Sequence, residues 1–399
     1  MTTWVSRRWA KSVGVLASAL ALSLGVSLTP VAPAYAADPP VTADKQDYYK
    51  YYKLKSIHDQ GITGKGVIIA VLDGAVNPNI PELRGANIQD RMPCVKDSAP
   101  ENMAHGTTVA QILVSPEFGV APDATLYTYT LPLHGDASNC TLSGWTGEAE
   151  NDTPLLIEQA INDGADIIAI SSNYPDSRNS SMRWAISRAA VTGVPIVASV
   201  GNDSKYNPDD ELGMWGGVIG VAALEEDGTV ADYSNYGDGV TLAAIGEIRG
   251  RSSIDGKRYK TSGTSYASPM VAGFLALAWQ RFGDGGVSVR QVLQAMVATA
   301  WGTNGQWNER TGYGEINPAA LLSADPSQYP VESPLLEKGS RFAFHEDDIY
   351  DYYYGLANPR EVLNDDWYVY RGVDEASALS EGHGYEVHLG TSPLYHYQG

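Results

Sequence analysis

Continuous apolar runs alternate with stretches of helical spacing between about residues 66 and 322. The apolar runs are typical of strands buried on both faces of a sheet, and they cover residues 67–72, 167–170, 194–198 and 218–222. The helical stretches cover residues 155–162, 182–190, 264–282 and 289–298. This alternation predicts an α/β fold in three layers, with a mostly parallel central sheet and helices on both faces.

The first 36 residues have the order of a secretory signal. Arg7, Arg8 and Lys11 precede an apolar run over residues 13–26, and Ala34-Tyr35-Ala36 follows. This order predicts a signal peptide cleaved after Ala36; the alternative is an uncleaved membrane anchor. No later stretch reaches spanning length, so we expect a secreted, extracellular mature chain with no membrane span.

We divide the remaining chain into a short arm (residues 37–50), a main domain (residues 51–322) and a C-terminal extension (residues 323–399). The extension has 14 acidic and 4 basic residues and ten tyrosines. Two alternatives stay open for it. It is either a solvated or surface-draped tail, or an acidic, aromatic docking segment.

The charge of the whole chain excludes one class of partner. Its 27 Lys and Arg residues stand against 47 Asp and Glu residues, for a formal charge of −20. Phosphate backbones would repel such a chain, so we expect no nucleic-acid partner.

Several polar residues of types used in catalysis lie at the ends of predicted strands or near the starts of predicted helices. Asp73 ends the first apolar run and Asn202 follows the run at 194–200, while His105 and Ser265 each lie near the start of a helix-like stretch. A serine nucleophile needs a base, and the base needs an orienting carboxylate. Each residue alone has a simpler structural explanation as a turn or helix-cap residue.

Four ordered segments resemble those of the subtilisin-like serine proteases. They lie at residues 71–76 around Asp73, at 105–110 beginning with His105, at 197–202 ending in Asn202, and at 263–273 around Ser265. The order Asp, His, Ser along the chain is also that of the family. The resemblance implies a subtilisin-like fold over about residues 51–322 and suggests the mycosin branch, because the arm before the domain is short.

The family resemblance also implies roles for these residues. Ser265 would attack the scissile carbonyl, His105 would take its proton, and Asp73 would orient His105. Asn202 would donate to the oxyanion, and Ser171, Ser172 and Asn173 would pair with an extended substrate. We carry over no metal site, since the segment at 115–119 is too short for the calcium loop of many relatives.

The resulting hypothesis is a secreted serine endopeptidase that hydrolyses peptide bonds through an acyl-enzyme. We expect a processing protease, monomeric and without an organic cofactor. Its partners would be a protein or peptide substrate and a component of a secretion system. The alternative is a catalytically impaired member of the family that binds peptides or assists secretion.

Three details depart from the simplest pattern. Gly74-Ala75 follows Asp73 where the family usually has a hydroxyl residue and then Gly, which leaves the Asp73 carboxylate with less support and should raise the acidic limb of activity. Pro269 should kink the helix at Ser265, unless the regular helix begins after it. Cys94 and Cys140 are expected to form a disulfide in an oxidising compartment, with free thiols as the alternative.

Overall fold

The computed structural model describes residues 38–93, 97–136, 152–172, 180–208, 210–303, 306–336, 345–358, 361–365 and 367–368. Cys94, Cys140 and the signal segment lie outside these ranges, so the disulfide and the cleavage site remain predictions. Within the described ranges, no helix combines the length and the apolarity needed to cross a bilayer.

The strands of the described ranges belong to one parallel sheet and one hairpin. The sheet has the order β2-β3-β1-β4-β5-β6-β7, and β8 and β9 pair antiparallel. The strands are β1 Ile68–Asp73, β2 Asn87–Asp90, β3 Thr125–Thr130, β4 Ile167–Ile170, β5 Ile196–Ser199, β6 Val218–Leu224, β7 Val240–Ile245, β8 Glu247–Arg251 and β9 Arg258–Ser262.

Helices cover both faces of the sheet. They are α1 Asp47–Tyr51, α2 Leu54–His58, α3 Pro100–Val114, α4 Asp152–Asn162, α5 Ser180–Thr192, α6 Thr264–Phe282, α7 Val289–Ala298, α8 Pro318–Ser323 and α9 Glu346–Tyr353. Short 3₁₀ turns lie at Ala43–Lys45, Pro81–Leu83, Leu212–Met214, Gly283–Gly285 and Pro326–Gln328.

Alternate residues of β1 face two separate cores. Ile69 and Val71 pack with α3 and α6 on one face, while Ala70 and Leu72 pack with α4 and α5 on the other. Successive side chains of a strand point to opposite faces, so an unbroken apolar run is what a strand between two helical layers requires. The predicted three-layer α/β architecture is therefore confirmed.

The helix at Ser265 is continuous through Pro269. It begins at Thr264 and includes Pro269 in its second turn. The alternative in which the regular helix starts after Pro269 is therefore wrong. Ser265 lies in the first turn, where the positive end of the helix dipole is found.

The described part of the acidic extension packs on the domain. Tyr352 of α9, Ala357, Val362 and Tyr368 form an apolar cluster with Trp184 of α5. The indole Nε1 of Trp184 donates to Glu361 Oε2 at 2.7 Å. The buried Arg188 of α5 donates to the carbonyl of Asn364 at 3.1 Å. These residues are therefore draped on the surface layer of the fold rather than solvated.

Candidate active site

The candidate residues lie at the edge of the sheet where the parallel strands end. Asp73 is the last residue of β1, and Asn202 follows the end of β5 by three residues. In the sheet, only β4 separates these two strands. This edge is where ligands of open parallel sheets bind, and it is the edge that the sequence pattern predicted.

Asp73 and His105 are joined by a short hydrogen bond. The Nδ1 of His105 lies 2.7 Å from Oδ1 of Asp73, and the same Oδ1 accepts the Gly74 N–H at 2.6 Å. Asp73 has no exposed surface, and among the described residues its Oδ2 has no hydrogen-bond partner. The expected lack of hydroxyl support for this carboxylate is thus visible as an unpaired oxygen.

The pKa of His105 is raised by this arrangement. Burial disfavours the imidazolium and lowers the pKa, but the negative charge of Asp73 and its hydrogen bond raise it by more. The raised pKa makes the ring a stronger base than an isolated histidine. Since Nδ1 is occupied by Asp73, Nε2 is the nitrogen left to accept a proton.

Two glycines bring His105 to Asp73. The helix α3 begins at Pro100, so His105 lies in its second turn rather than at its start as the sequence suggested. A Cβ on Gly74 would lie 2.0 Å from the carbonyl oxygen of Asn102, and one on Gly106 would lie 2.1 Å from the carbonyl oxygen of Gly74. The helix can approach the end of β1 this closely only because both positions lack a side chain.

The residue after Ser265, Tyr266, lies against the ring of His105. The rings of His105 and Tyr266 have their centroids 5.5 Å apart, and Ser265 is half-buried. In the described structure, the Ser265 hydroxyl makes no hydrogen bond to His105. Hydrogen bonds of this kind are commonly long in an unliganded site and tighten when substrate binds.

Asn202 is held by its carbonyl end. Its Oδ1 accepts hydrogen bonds from the N–H and the hydroxyl of Thr264, at 2.8 and 3.0 Å. The Thr264 hydroxyl also accepts the N–H of Gly201 at 3.2 Å. Asn202 is exposed, and its Nδ2 makes no hydrogen bond to any described residue. The amide N–H groups are therefore free to donate to a ligand at the start of α6.

The segment after β4 is only partly described. Ser171 is buried, and its hydroxyl lies 3.0 Å from that of Ser268 in α6. Ser172 has a buried hydroxyl with no partner among the described residues. Asn173 lies outside the described ranges, so pairing of these three residues with a substrate remains a prediction. The side chain of Ser171 therefore links the end of β4 to α6 through its hydrogen bond with Ser268.

A cleft of about 650 Å³ opens beside His105. It lies between α3 and the β8–β9 hairpin, and its walls include Thr108, Tyr259 and Tyr266. The hydroxyls of Thr108 and Tyr259 form a hydrogen bond that ties the hairpin to α3. Sequence reasoning missed this wall, because nothing local in residues 247–262 indicates that they fold back towards His105.

An acidic cluster just beyond the ends of β6 and β7 is neutralised by cationic side chains of the chain. Asp47, Glu226 and Glu247 lie close enough together to resemble a metal site. However, Nη1 of Arg249 lies 2.8 to 3.4 Å from all three carboxylates, and Lys260 pairs with both glutamates. Ion pairing accounts for this cluster, and it lends no support to a metal.

The family model described as "Subtilase family" matches residues 64–314, which contain all four segments singled out in the sequence. The chain belongs to the subtilase family. It is also 32% identical over 241 residues to the "Thermostable alkaline protease" of Halalkalibacterium halodurans. That match covers 58% of this chain and 62% of the protease, so the chain spans less than two thirds of the length of this curated relative.

Two solved structures share the fold. "Prenylagaramide maturation protease PagA" is 27% identical with a TM-score of 0.56, over 68% of this chain and 97% of that chain. "MycP1 from the ESX-1 type VII secretion system" is 24% identical with a TM-score of 0.61, over 75% of this chain and 90% of that one. The predicted resemblance to subtilases, with a mycosin among the similar structures, is confirmed.

Proposed function

We propose that this subtilase is an exported serine endopeptidase that works through an acyl-enzyme. Ser265 attacks the scissile carbonyl and His105 takes the hydroxyl proton at Nε2. Asp73 fixes the tautomer of His105 and stabilises the imidazolium. The side-chain amide of Asn202 and the backbone N–H of Ser265 donate hydrogen bonds to the tetrahedral oxyanion. His105 then passes its proton to the leaving amine, and water releases the acyl group by the reverse steps.

The 2.7 Å hydrogen bond between Asp73 and His105 carries this proposal. A buried carboxylate is costly unless it is paired or hydrogen-bonded. Here the Asp73 carboxylate accepts a hydrogen bond from the ring of His105, the candidate base. The raised pKa of His105 supports the role of general base. The free amide of Asn202 at the start of α6 supports the oxyanion role.

Covalent labelling of the serine tests the proposal. The mature protein is treated with a serine-directed fluorophosphonate and its intact mass is measured. We expect one added phosphonyl group in the wild type and none in Ser265→Ala. Ser262→Ala is the matched control, because this exposed serine of β9 lies three residues earlier, and it should keep the label.

The biological role that we propose is processing of one protein or peptide substrate. PagA is named as a maturation protease, and MycP1 is named for a secretion system. These likenesses support a processing role and a secretion-system partner for this chain. Slow, restricted cleavage of casein would agree with processing, whereas rapid and broad digestion would favour a scavenging protease.

A second candidate function is a binding protein that has lost its chemistry. The observation that favours it is the unpaired Oδ2 of Asp73, where the carboxylate lacks support. Labelling separates the two functions. A folded wild-type protein that takes up no phosphonyl group at any pH between 6 and 9 would reject the protease and leave the peptide-binding or secretion-accessory role.

A further inference from the structure

Asn235 is a fully buried side chain in the loop between β6 and β7. Its Oδ1 accepts the N–H groups of Asp203 at 3.0 Å and Lys205 at 2.8 Å. Its Nδ2 donates to the carbonyl of Val200 at 2.9 Å. Two N–H groups can be accepted only by the carbonyl end of the amide, so the contacts themselves fix which way the side chain points.

These bonds bracket Asn202 on both sides. The carbonyl of Val200 precedes it, and the N–H groups of Asp203 and Lys205 follow it. The backbone N–H of Asn235 adds a bond to the carbonyl of Gly201 at 2.9 Å. One residue therefore makes four hydrogen bonds to the six-residue segment 200–205, which contains Asn202.

The segment is also hydrogen-bonded to Thr264 and, through Ser204, to the carbonyls of residues 232 and 233. It lies beyond the end of β5, and Gly201 has a φ of +91°. A Cβ on Gly201 would lie 2.3 Å from Nδ2 of Asn235 and 2.2 Å from Oε1 of the buried Glu211. The backbone of Gly201 therefore lies against the Asn235 amide. A change in that amide should shift Gly201 and, with it, the backbone of Asn202.

We propose that Asn235 is a positioning residue that aims the Asn202 amide at the oxyanion. This inference rests on the proposed protease function and deepens it. Thr264 fixes the carbonyl end of the Asn202 side chain, and Asn235 fixes the backbone from which that side chain projects. A donor that moves by about 1 Å loses much of its contribution to the transition state, with a cost of up to about 100-fold in rate.

A double-mutant cycle on the full chain tests the proposal. The rate constant for fluorophosphonate labelling of Ser265 is measured in the wild type, Asn202→Ala, Asn235→Ala and the double variant. This probe forms a tetrahedral adduct, so it reports on the oxyanion donors without a known substrate. We expect Asn202→Ala to slow labelling by about 10²–10³-fold and Asn235→Ala to slow it by about 10–100-fold.

The decisive result is the effect of Asn235→Ala when Asn202 is already alanine. If Asn235 acts through Asn202, the second substitution changes the rate less than about twofold, because coupled residues are not additive. Equal slowing in both backgrounds overturns the positioning role while the protease function stands. A wild type that takes no label overturns the protease function, and the positioning role falls with it.

Two further variants guard against a folding defect. Asn235→Asp keeps the acceptor for Asp203 and Lys205 and replaces only the group that donates to Val200. It should slow labelling in the wild-type background and not in Asn202→Ala, which tests the proposal if Asn235→Ala does not fold. Asn308→Ala is the matched control, since Asn308 also accepts two backbone N–H groups in a loop, and its labelling rate should equal that of the wild type.

Discussion

Asp73 and His105 share a 2.7 Å hydrogen bond in which the carboxylate is fully buried and the ring is largely so. The buried carboxylate raises the pKa of His105 against the opposing effect of burial. Activity requires the neutral ring, because a protonated His105 cannot accept the Ser265 proton. Activity should therefore be lost as the pH falls through this raised pKa.

Asp73→Asn should move that acidic limb to lower pH. The substitution removes the charge that raises the pKa of His105, and the effect of burial, which lowers it, remains. The plateau rate should also fall by about 10⁴-fold, since the amide favours the wrong tautomer. The pH dependence of fluorophosphonate labelling measures both effects. Asp59→Asn, which changes an exposed carboxylate paired with Lys55, should leave the limb in place; a limb unmoved in Asp73→Asn would contradict the assignment.

Thr264→Val should lower turnover without weakening substrate binding. The valine keeps the shape and the N–H that reaches Asn202, but it removes the hydroxyl that donates to Oδ1 and accepts from Gly201. We expect the transition state to lose about 1–2 kcal/mol of stabilisation, which corresponds to a factor of about 5–30 in kcat. Because the oxyanion forms only in the transition state, KM should stay the same.

Steady-state kinetics with a cleavable peptide check this prediction for Thr264. Thr264→Ser is the matched control, as it retains the hydroxyl and should keep most of the wild-type kcat. A fall in kcat that is as large in the serine variant as in the valine variant would show that packing of the methyl group matters and the hydroxyl does not.

Gly74→Ala should separate α3 from the end of β1. The new Cβ would lie 2.0 Å from a backbone carbonyl oxygen of Asn102, and backbone cannot rotate away as a side chain would. We expect a loss of about 1–3 kcal/mol in the free energy of unfolding and a lower rate of Ser265 labelling. Gly285→Ala is the control, since nothing lies within 4 Å of its Cβ position. Denaturant unfolding that shows equal stability for the two variants would contradict the packing argument.

The sequence predicted the parts of the fold that repeat a simple pattern. The helix at 264–282 and the one at 289–298 have the predicted bounds, because apolar residues recur at helical spacing along both. The edge strand Asn87–Asp90 was not predicted. Its exposed polar side chains form a strand only because β3 pairs with it, which no local signal shows.

The site was also predictable only in part. Asp73, His105, Asn202 and Ser265 each occur in a recognisable local segment. The contacts around them are not local, since Asn235 lies 33 residues from Asn202 and Thr108 contacts Tyr259, which lies 151 residues further along the chain. Contacts of this kind depend on the path of the chain, and a single sequence carries no record of them.

The C-terminal extension gives a last prediction, at Arg188. This arginine is buried in α5, and it donates to the carbonyl of Asn364 and pairs with Asp365 at 3.4 Å. Arg188→Met leaves the buried Asp365 carboxylate without this cation, at a cost of about 3–5 kcal/mol. Residues 361–365 should then detach while the sheet stays folded, and hydrogen exchange should show faster exchange in these residues alone. The double variant Arg188→Met, Asp365→Asn removes the uncompensated charge and should recover part of the protection, whereas faster exchange throughout β1 and α6 would mean that Arg188 supports the whole domain.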